Sequence, residues 1–114
     1  MARRFSSYDR RNHPTFEVRE GYRRWVAGYD ETMTGEIDLR LLESLESVEW
    51  AVPRAVDLAC GTGRIGQWLR ERGAAHVDGV DLCPEMLERA AARAVYASLE
   101  LADLRCTSLP ERIW

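Results

Sequence analysis

Apolar and polar positions between residues 55 and 81 predict a strand, a turn, a helix and a second strand. The apolar run 55–59 is short, partly β-branched and followed at once by glycines, which is typical of a buried parallel strand. Apolar residues at helical spacing over 65–69, with charged residues on the other face, predict a helix that Gly73 closes. A second strand over 77–81 then ends on a carboxylate.

The same patterns predict four flanking elements. The longest regular apolar pattern, over 36–48, predicts a helix that covers one face of the sheet. A further helix is expected over 15–27 with Gly28 at its end, and a third strand over 96–101. Pro84 fits the first turn of another helix. The buried face of the helix over 36–48 is predicted to hold Ile37, Leu41, Leu45 and Val48, with Leu42 widening this stripe. The buried face of the helix that begins near Pro84 is predicted to hold Met86, Leu87, Ala90, Ala91 and Ala94.

The glycine turn between the first strand and the helix predicts a ligand site. Gly61 and Gly63 allow positive φ and let a ligand approach backbone atoms that a Cβ would shield. Asp81 follows Gly61 by twenty positions, and strand, glycine turn, helix, strand and acid form a nucleotide-binding half-unit. Ligands of such units lie beyond the carboxyl ends of the strands, so Asp57, Gly61 and Asp81 are expected to converge there.

The spacing alone fits two ligand classes. The run 61–66 satisfies the GxGxxG dinucleotide pattern, Asp81 included. A dinucleotide, however, would place an anionic pyrophosphate near Asp57. S-adenosylmethionine offers a cationic ammonium and a sulfonium instead, which the same carboxylate attracts directly or through a water. The charges therefore favour the methyl donor.

Two segments resemble the motifs of a known family. Residues 57–63, Asp-Leu-Ala-Cys-Gly-Thr-Gly, resemble the first motif of class I S-adenosylmethionine-dependent methyltransferases, and residues 81–87 resemble the second. The resemblance covers 33–114 and departs at Cys83, where the family commonly has serine, a stronger helix cap. It implies an α/β, Rossmann-like class I methyltransferase fold.

The resemblance also implies where the cofactor lies. The glycines would admit its methionine and ribose, Asp57 would favour the ammonium, and Asp81 would accept from both ribose hydroxyls. Leu82 and Met86 would lie against adenine, with Met86 as core filling the alternative. Asp103 would accept from the adenine amino group, and the Leu104 amide would face a ring nitrogen. Tyr29, in a Tyr-Asp pair, would close over the methionine end or merely pack against the core. The expected cofactor-binding residues are Tyr29, Asp57, Ala59, Gly61, Gly63, Asp81, Leu82, Met86, Asp103 and Leu104.

The domain organisation follows from these elements. Residues 1–14 are predicted to be a flexible arginine-rich arm, 15–50 amino-terminal helices that precede the core, and 51–114 the first half of the cofactor-binding α/β domain. The resembled fold has further strands, so we expect truncation after the third strand. A fragment, a split protein and a remnant all fit. The first strand would be an open sheet edge, available to a complementing chain or to self-association.

The expected function is methyl transfer from S-adenosylmethionine to an unidentified acceptor. A non-catalytic S-adenosylmethionine-binding or interaction fragment and an NAD-type protein are the alternatives. No catalytic residue is assigned, and three cysteines without CxxC spacing predict no metal site. Seven arginines within residues 1–24 allow an RNA contact, but a solvated arm is the simpler interpretation. Without a long apolar run or signal-peptide pattern, the expected location is cytoplasmic.

Overall fold

The computed structural model describes residues 16–33, 35–107 and 109–110. The predicted arm over 1–14 and Thr15, the predicted start of the first helix, lie outside the described residues. The elements in chain order are α1 (Val18–Trp25), a 3₁₀ turn (Val26–Gly28), α2 (Tyr29–Thr32), α3 (Ile37–Glu43), β1 (Ala55–Leu58), α4 (Arg64–Glu71), β2 (Val77–Asp81), α5 (Pro84–Ala92), β3 (Ser98–Leu101) and a second 3₁₀ turn (Leu104–Cys106).

The three strands form one parallel sheet with β2 at its centre, in the order β1–β2–β3. Ala55 lies opposite Val77, and Asp81 lies opposite Leu101. Because β2 is paired on both sides and covered by helices, Val77 and Val80 are fully buried. The burial of these two valines is typical of a central strand, and the predicted bounds of the second strand match the structure. The shared direction of the strands brings their carboxyl ends to one edge of the sheet.

The core lies between the sheet and α4. Trp68 and Leu69 are buried with Val77, as the helical spacing predicted. Trp68 also meets Trp50 edge to face, with ring centroids 4.9 Å apart. Gly73 follows the helix with a φ of +101°, a conformation that stops a helix and favours glycine. The predicted stop is therefore confirmed.

The helix predicted ahead of the sheet is shorter than expected and presents a different face to the core. α3 ends at Glu43, after which the chain turns. The predicted core positions are all exposed, by 40–74%: Ile37, Leu41, Leu45 and Val48. Leu42, which was also predicted in the stripe, does pack against the core, together with Leu39, which was not predicted. The ion pair between Asp38 and Arg64 of α4, with 2.9 Å between Nη1 and Oδ2, holds this other face inward. The predicted apolar stripe is therefore wrong except at Leu42.

Three further element ends differ from prediction. The first helix ends at Trp25 and is followed by a 3₁₀ turn and α2, whereas one helix to residue 27 was predicted. α5 ends at Ala92 because Ala94 takes a φ of +55° and cannot continue a right-handed helix. Ala91 and Ala94 are exposed, not buried. β3 begins at Ser98. No helix among the described residues is long and apolar enough to cross a membrane.

Candidate functional site

A cavity of about 270 Å³ lies at the carboxyl ends of the three strands. Residues that follow β1, β2 and β3 form its floor in that order, and α1 and α2 supply its opposite wall. Its volume is just below the range of about 300–1,000 Å³ that is typical of small-molecule sites. The lining residues are Val18, Arg19, Tyr22, Tyr29, Ala59, Gly61, Asp81, Leu82, Cys83, Met86, Ala102, Asp103 and Leu104.

Eight of the ten residues predicted to bind a cofactor line this cavity, and two do not. The eight come from α2, from the loops that follow all three strands and from α5. Asp57 and Gly63 lie outside the lining. The eight are Tyr29, Ala59, Gly61, Asp81, Leu82, Met86, Asp103 and Leu104.

Asp81 links the glycine turn to the end of β2. Its Oδ2 accepts from the backbone amide of Gly61 at 2.8 Å, and its Oδ1 accepts from the amide of Cys83 at 2.9 Å. Gly61 has a φ of +55°, and no described heavy atom lies within 4 Å of the position of an added Cβ. The turn thus presents open backbone next to a carboxylate whose oxygens keep lone pairs for further donors. A polyhydroxylated ligand fits such an acceptor.

An apolar surface adjoins this acceptor. Met86 is 1% exposed, and with Leu82 it forms the part of the cavity wall that follows β2. Cys83 caps α5 through its backbone position alone, since its side chain makes no capping hydrogen bond. A planar ring bound in the cavity would pack its apolar face against this surface. Polar atoms at the edge of the ring would then face the loop after β3.

Asp103 stands in that loop and lines the cavity. Its carboxylate accepts from the amide and the guanidinium of Arg105, with the shortest contact 2.5 Å. These hydrogen bonds lower the pKa of Asp103 to about 2. Asp103 is therefore ionised, and it accepts hydrogen bonds throughout the physiological range. Arg105 is 88% exposed, so a ligand amino group can compete with this surface side chain for the carboxylate.

Asp57 points away from the cavity, into the interior. It is 8% exposed, and its Oδ2 accepts from the Tyr96 hydroxyl at 2.7 Å. The amide of Gly66 also donates to it. Burial raises the pKa of Asp57, and these two donors oppose that rise. The carboxylate thus holds the glycine turn and α4 against the segment before β3, so its expected contact with a ligand ammonium stays a prediction.

Tyr96 lies in a slot between three glycines. An added Cβ would lie 3.0 Å from its ring at Gly63, 2.1 Å from its hydroxyl at Gly66 and 2.8 Å from its ring at Gly79. The absence of a side chain at Gly63 and Gly66 therefore leaves space for the Tyr96 side chain. The sequence signal for this contact was the third glycine of GxGxxG, whose general role is close packing of helix and strand.

A polar network that sequence reasoning missed ties α2 to the glycine turn. The Thr62 hydroxyl donates to Asp30 at 2.5 Å, and Arg93 donates to both Asp30 and the carbonyl of Thr62. The wall formed by Val18, Arg19 and Tyr22 of α1 was also missed. No local pattern indicated either feature, because Asp30 and Arg93 are 63 positions apart.

The cysteines form no metal site in the part of the chain that the structure describes. No group of three or more His, Cys, Asp or Glu side chains there is placed to hold a metal ion. Cys60 and Cys83 are buried free thiols, and Cys106 is exposed. Burial raises the pKa of Cys60 to about 12, so this thiol stays protonated and behaves as a small apolar residue.

A family model described as a methyltransferase domain matches residues 55–113, more than half of the chain. The chain belongs to the class I S-adenosylmethionine-dependent methyltransferases. The match begins with β1 and spans the glycine turn, Asp81 and the loop after β3. The sheet and the part of the cavity wall that follows its strands thus lie in the matched segment, whereas the wall supplied by α1 and α2 precedes it.

Curated relatives are longer than this methyltransferase chain. Methyltransferase-like protein 27 of Homo sapiens is 33% identical over 95 residues, which are 78% of this chain and 39% of that protein. Trans-aconitate 2-methyltransferase of Pseudomonas aeruginosa is 42% identical over 74 residues, 61% of this chain and 27% of that protein. Malonyl-[acyl-carrier protein] O-methyltransferase of Halorhodospira halophila is 40% identical over 100 residues, which are 82% of this chain and 34% of that protein. The chain spans roughly a third of the length of these relatives.

Solved structures confirm the Rossmann-like class I methyltransferase fold. An S-adenosylmethionine-dependent methyltransferase from Mesorhizobium loti is 39% identical, with a TM-score of 0.54 over 62% of this chain and 33% of that one. A chain from the complex of the Haloferax volcanii Trm112 methyltransferase activator with a methyltransferase is 25% identical, with a TM-score of 0.65 over 81% of this chain and 42% of that one.

Proposed function

We propose that this chain binds S-adenosylmethionine in the cavity and forms the cofactor half of a methyltransferase. The observation that carries the proposal is the Asp81 carboxylate, fixed beside the open backbone of Gly61 and next to an apolar wall. Family membership supports the same ligand. Asp57 does not decide between this ligand and a dinucleotide, because its carboxylate is directed to Tyr96.

The cavity residues fit the parts of the donor in order along the sheet edge. Asp81 accepts from the ribose hydroxyls, and the Gly61 turn lies beside the methionine portion. Leu82 and Met86 support the adenine ring. Asp103 accepts from the adenine amino group. The order follows the strand order β1–β2–β3, which sets Gly61, Asp81 and Asp103 in a row.

The donor, when bound, supplies an electrophilic methyl group on a sulfonium. The bond from sulfur to the methyl carbon breaks as the acceptor atom forms its bond to that carbon, and S-adenosylhomocysteine is released. The task of this chain is therefore to hold the donor in line with the acceptor. Relatives are named for different acceptors, trans-aconitate in one and malonyl-acyl-carrier protein in another. We propose methyl transfer as the reaction class and leave the acceptor open.

A further segment is proposed to pair with the outer edge of β1 in the active methyltransferase. Among the described residues, β1 pairs with β2 alone. An apolar groove lies beside this edge, with Val56 and Leu58 in its wall, and Leu58 is 52% exposed. Open edges of this kind favour pairing with another strand. A complementing chain or a second copy of this one would cover it.

Titration calorimetry with Asp81→Asn tests the proposed cofactor site. The substitution removes a charge that accepts from two ribose hydroxyls, so affinity for S-adenosylhomocysteine is expected to fall about 10- to 100-fold. Asp78→Asn is the matched control on the same strand. Asp78 pairs with Arg54 and Ser98 away from the cavity, so this change should lower stability and leave affinity unaltered. Binding of NAD but not of S-adenosylhomocysteine, or unchanged affinity in Asp81→Asn, would contradict the proposal.

A further inference from the structure

The network around Asp30 joins three elements at the β1 end of the cavity. The Thr62 hydroxyl donates to Oδ1 of Asp30 at 2.5 Å, and Nη2 of Arg93 donates to Oδ2 at 3.3 Å. The Nε of Arg93 donates to the Thr62 carbonyl at 2.7 Å, and its Nη1 donates to Gln67 of α4 at 2.7 Å. One guanidinium thus contacts α2, the glycine turn and α4 together.

This network lies directly behind two residues of the cavity wall. Tyr29 precedes Asp30 and lines the cavity, and Gly61 precedes Thr62 and lines it as well. Thr62 itself is 1% exposed, so its hydroxyl has little access to water and depends on Asp30 as an acceptor. The contact between Asp30 and Thr62 therefore sets the distance between the Tyr29 ring and the glycine turn.

α2 needs such an anchor because it is short. It has four residues and no buried side chain, and a helix of that length is not stable on its own. It also contacts Trp25, whose ring meets Tyr29 at 4.7 Å and whose Nε1 donates to Thr32 at 2.9 Å. Those contacts stay within the amino-terminal segment. Asp30 connects the segment to the turn that holds the donor.

We propose that Asp30, held by Thr62 and Arg93, is a positioning residue that fixes Tyr29 over the methionine end of the donor. The inference rests on the proposed function. It assigns Asp30 no contact with the ligand, since Asp30 acts through the Tyr29 backbone and the glycine turn. Loss of Asp30 is therefore expected to weaken recognition of the amino-acid part of the donor and to leave recognition of the adenosine part intact.

A double-mutant cycle with two ligands tests this role. S-adenosylhomocysteine carries the amino-acid part, and 5′-methylthioadenosine lacks it. Tyr29→Ala and Asp30→Asn are each expected to lower the affinity for S-adenosylhomocysteine about tenfold, which corresponds to about 1.4 kcal/mol of binding free energy. Each is expected to change the affinity for 5′-methylthioadenosine less than about twofold. The double variant should bind S-adenosylhomocysteine about as well as either single variant, because the two residues act as one unit.

Asp38→Asn is the matched control. Asp38 also ties the amino-terminal segment to α4, through Arg64, but does not line the cavity. This variant should lower the melting temperature and leave the affinity ratio of the two ligands unchanged. Thr62→Val is a second variant, in which valine has nearly the shape of threonine but lacks the hydroxyl. It should show the same ratio of affinities for the two ligands as Asp30→Asn. Thr62→Ser keeps the hydroxyl and should therefore keep the parental ratio of affinities for the two ligands.

The outcomes separate the inference from the proposed function. If the parent chain binds neither ligand, the proposed function fails. Suppose that the parent binds both ligands. The positioning role is then refuted if Asp30→Asn and Thr62→Val lower the affinities for the two ligands equally or leave both unchanged. Additive losses in the double variant would refute it as well, since independent residues contribute separately.

Discussion

Replacing Tyr96 with phenylalanine removes one oxygen from the interior and leaves the ring in its slot. The Tyr96 hydroxyl donates to Asp57 at 2.7 Å, and Asp57 is 8% exposed, so water cannot readily replace the lost donor. A hydrogen bond to a charged group contributes about 1.5–3 kcal/mol. We expect Tyr96→Phe to lower the free energy of unfolding by about 2 kcal/mol at pH 7.5.

The effect should depend on pH. Burial raises the pKa of Asp57, and the Tyr96 hydrogen bond opposes that rise, so its loss raises the pKa further. A carboxyl whose pKa is raised by folding contributes stability below its unfolded-state pKa and loses that contribution as the pH rises through its folded-state pKa. The variant should therefore lose more stability at pH 7.5 than at pH 4, where the loss should be about 1 kcal/mol or less.

Urea unfolding followed by tryptophan fluorescence measures both values, because Trp50 and Trp68 pack together in the core. Tyr22→Phe is the control. The Tyr22 side chain is 44% exposed, and removal of its hydroxyl should change stability by less than about 0.5 kcal/mol. The reasoning fails if Tyr96→Phe is as stable as the parent at pH 7.5, or if the loss is the same at both pH values.

Two further predictions concern the slot and the thiols. Gly66→Ala would place a Cβ 2.1 Å from the Tyr96 hydroxyl, so we expect a loss of about 3 kcal/mol in the same urea assay. Gly28→Ala, with no described heavy atom within 4 Å, should be nearly neutral, and equal losses in the two variants would contradict the packing described. At pH 8, a thiol reagent should label Cys106 at once and the two buried cysteines only on unfolding. Burial raises the pKa of Cys60 to about 12, and rapid labelling of Cys60 would show that its site is open.

Local pattern predicted the elements around the cavity well. β2 was predicted with its observed bounds because the β-branched residues Val77 and Val80 lie between Gly73, which ends the preceding helix, and Pro84, which begins the next one. The turn at Gly61 was predicted because positive φ favours glycine. These features depend on neighbours in sequence, so the sequence alone determined them.

Features that depend on distant partners were not predicted. The direction of the Asp57 carboxylate depends on Tyr96, 39 positions later, and the place of α2 depends on Arg93. The face of α3 that points inward depends on the ion pair of Asp38 with Arg64. The spacing of apolar residues along the helix gives no information on this ion pair. These three features therefore depend on long-range polar contacts, which local patterns do not reveal.

The two hydrogen bonds of Asp81 make one side of the cavity rigid before any ligand arrives. Its oxygens are held by the amides of Gly61 and Cys83, so the conformational entropy of this acceptor is already lost on folding. The opposite side belongs to short helices without buried side chains. Preorganisation is thus unequal across the cavity: the β2 side is held by its own strand end, and the helical side depends on contacts such as that of Asp30 with Thr62.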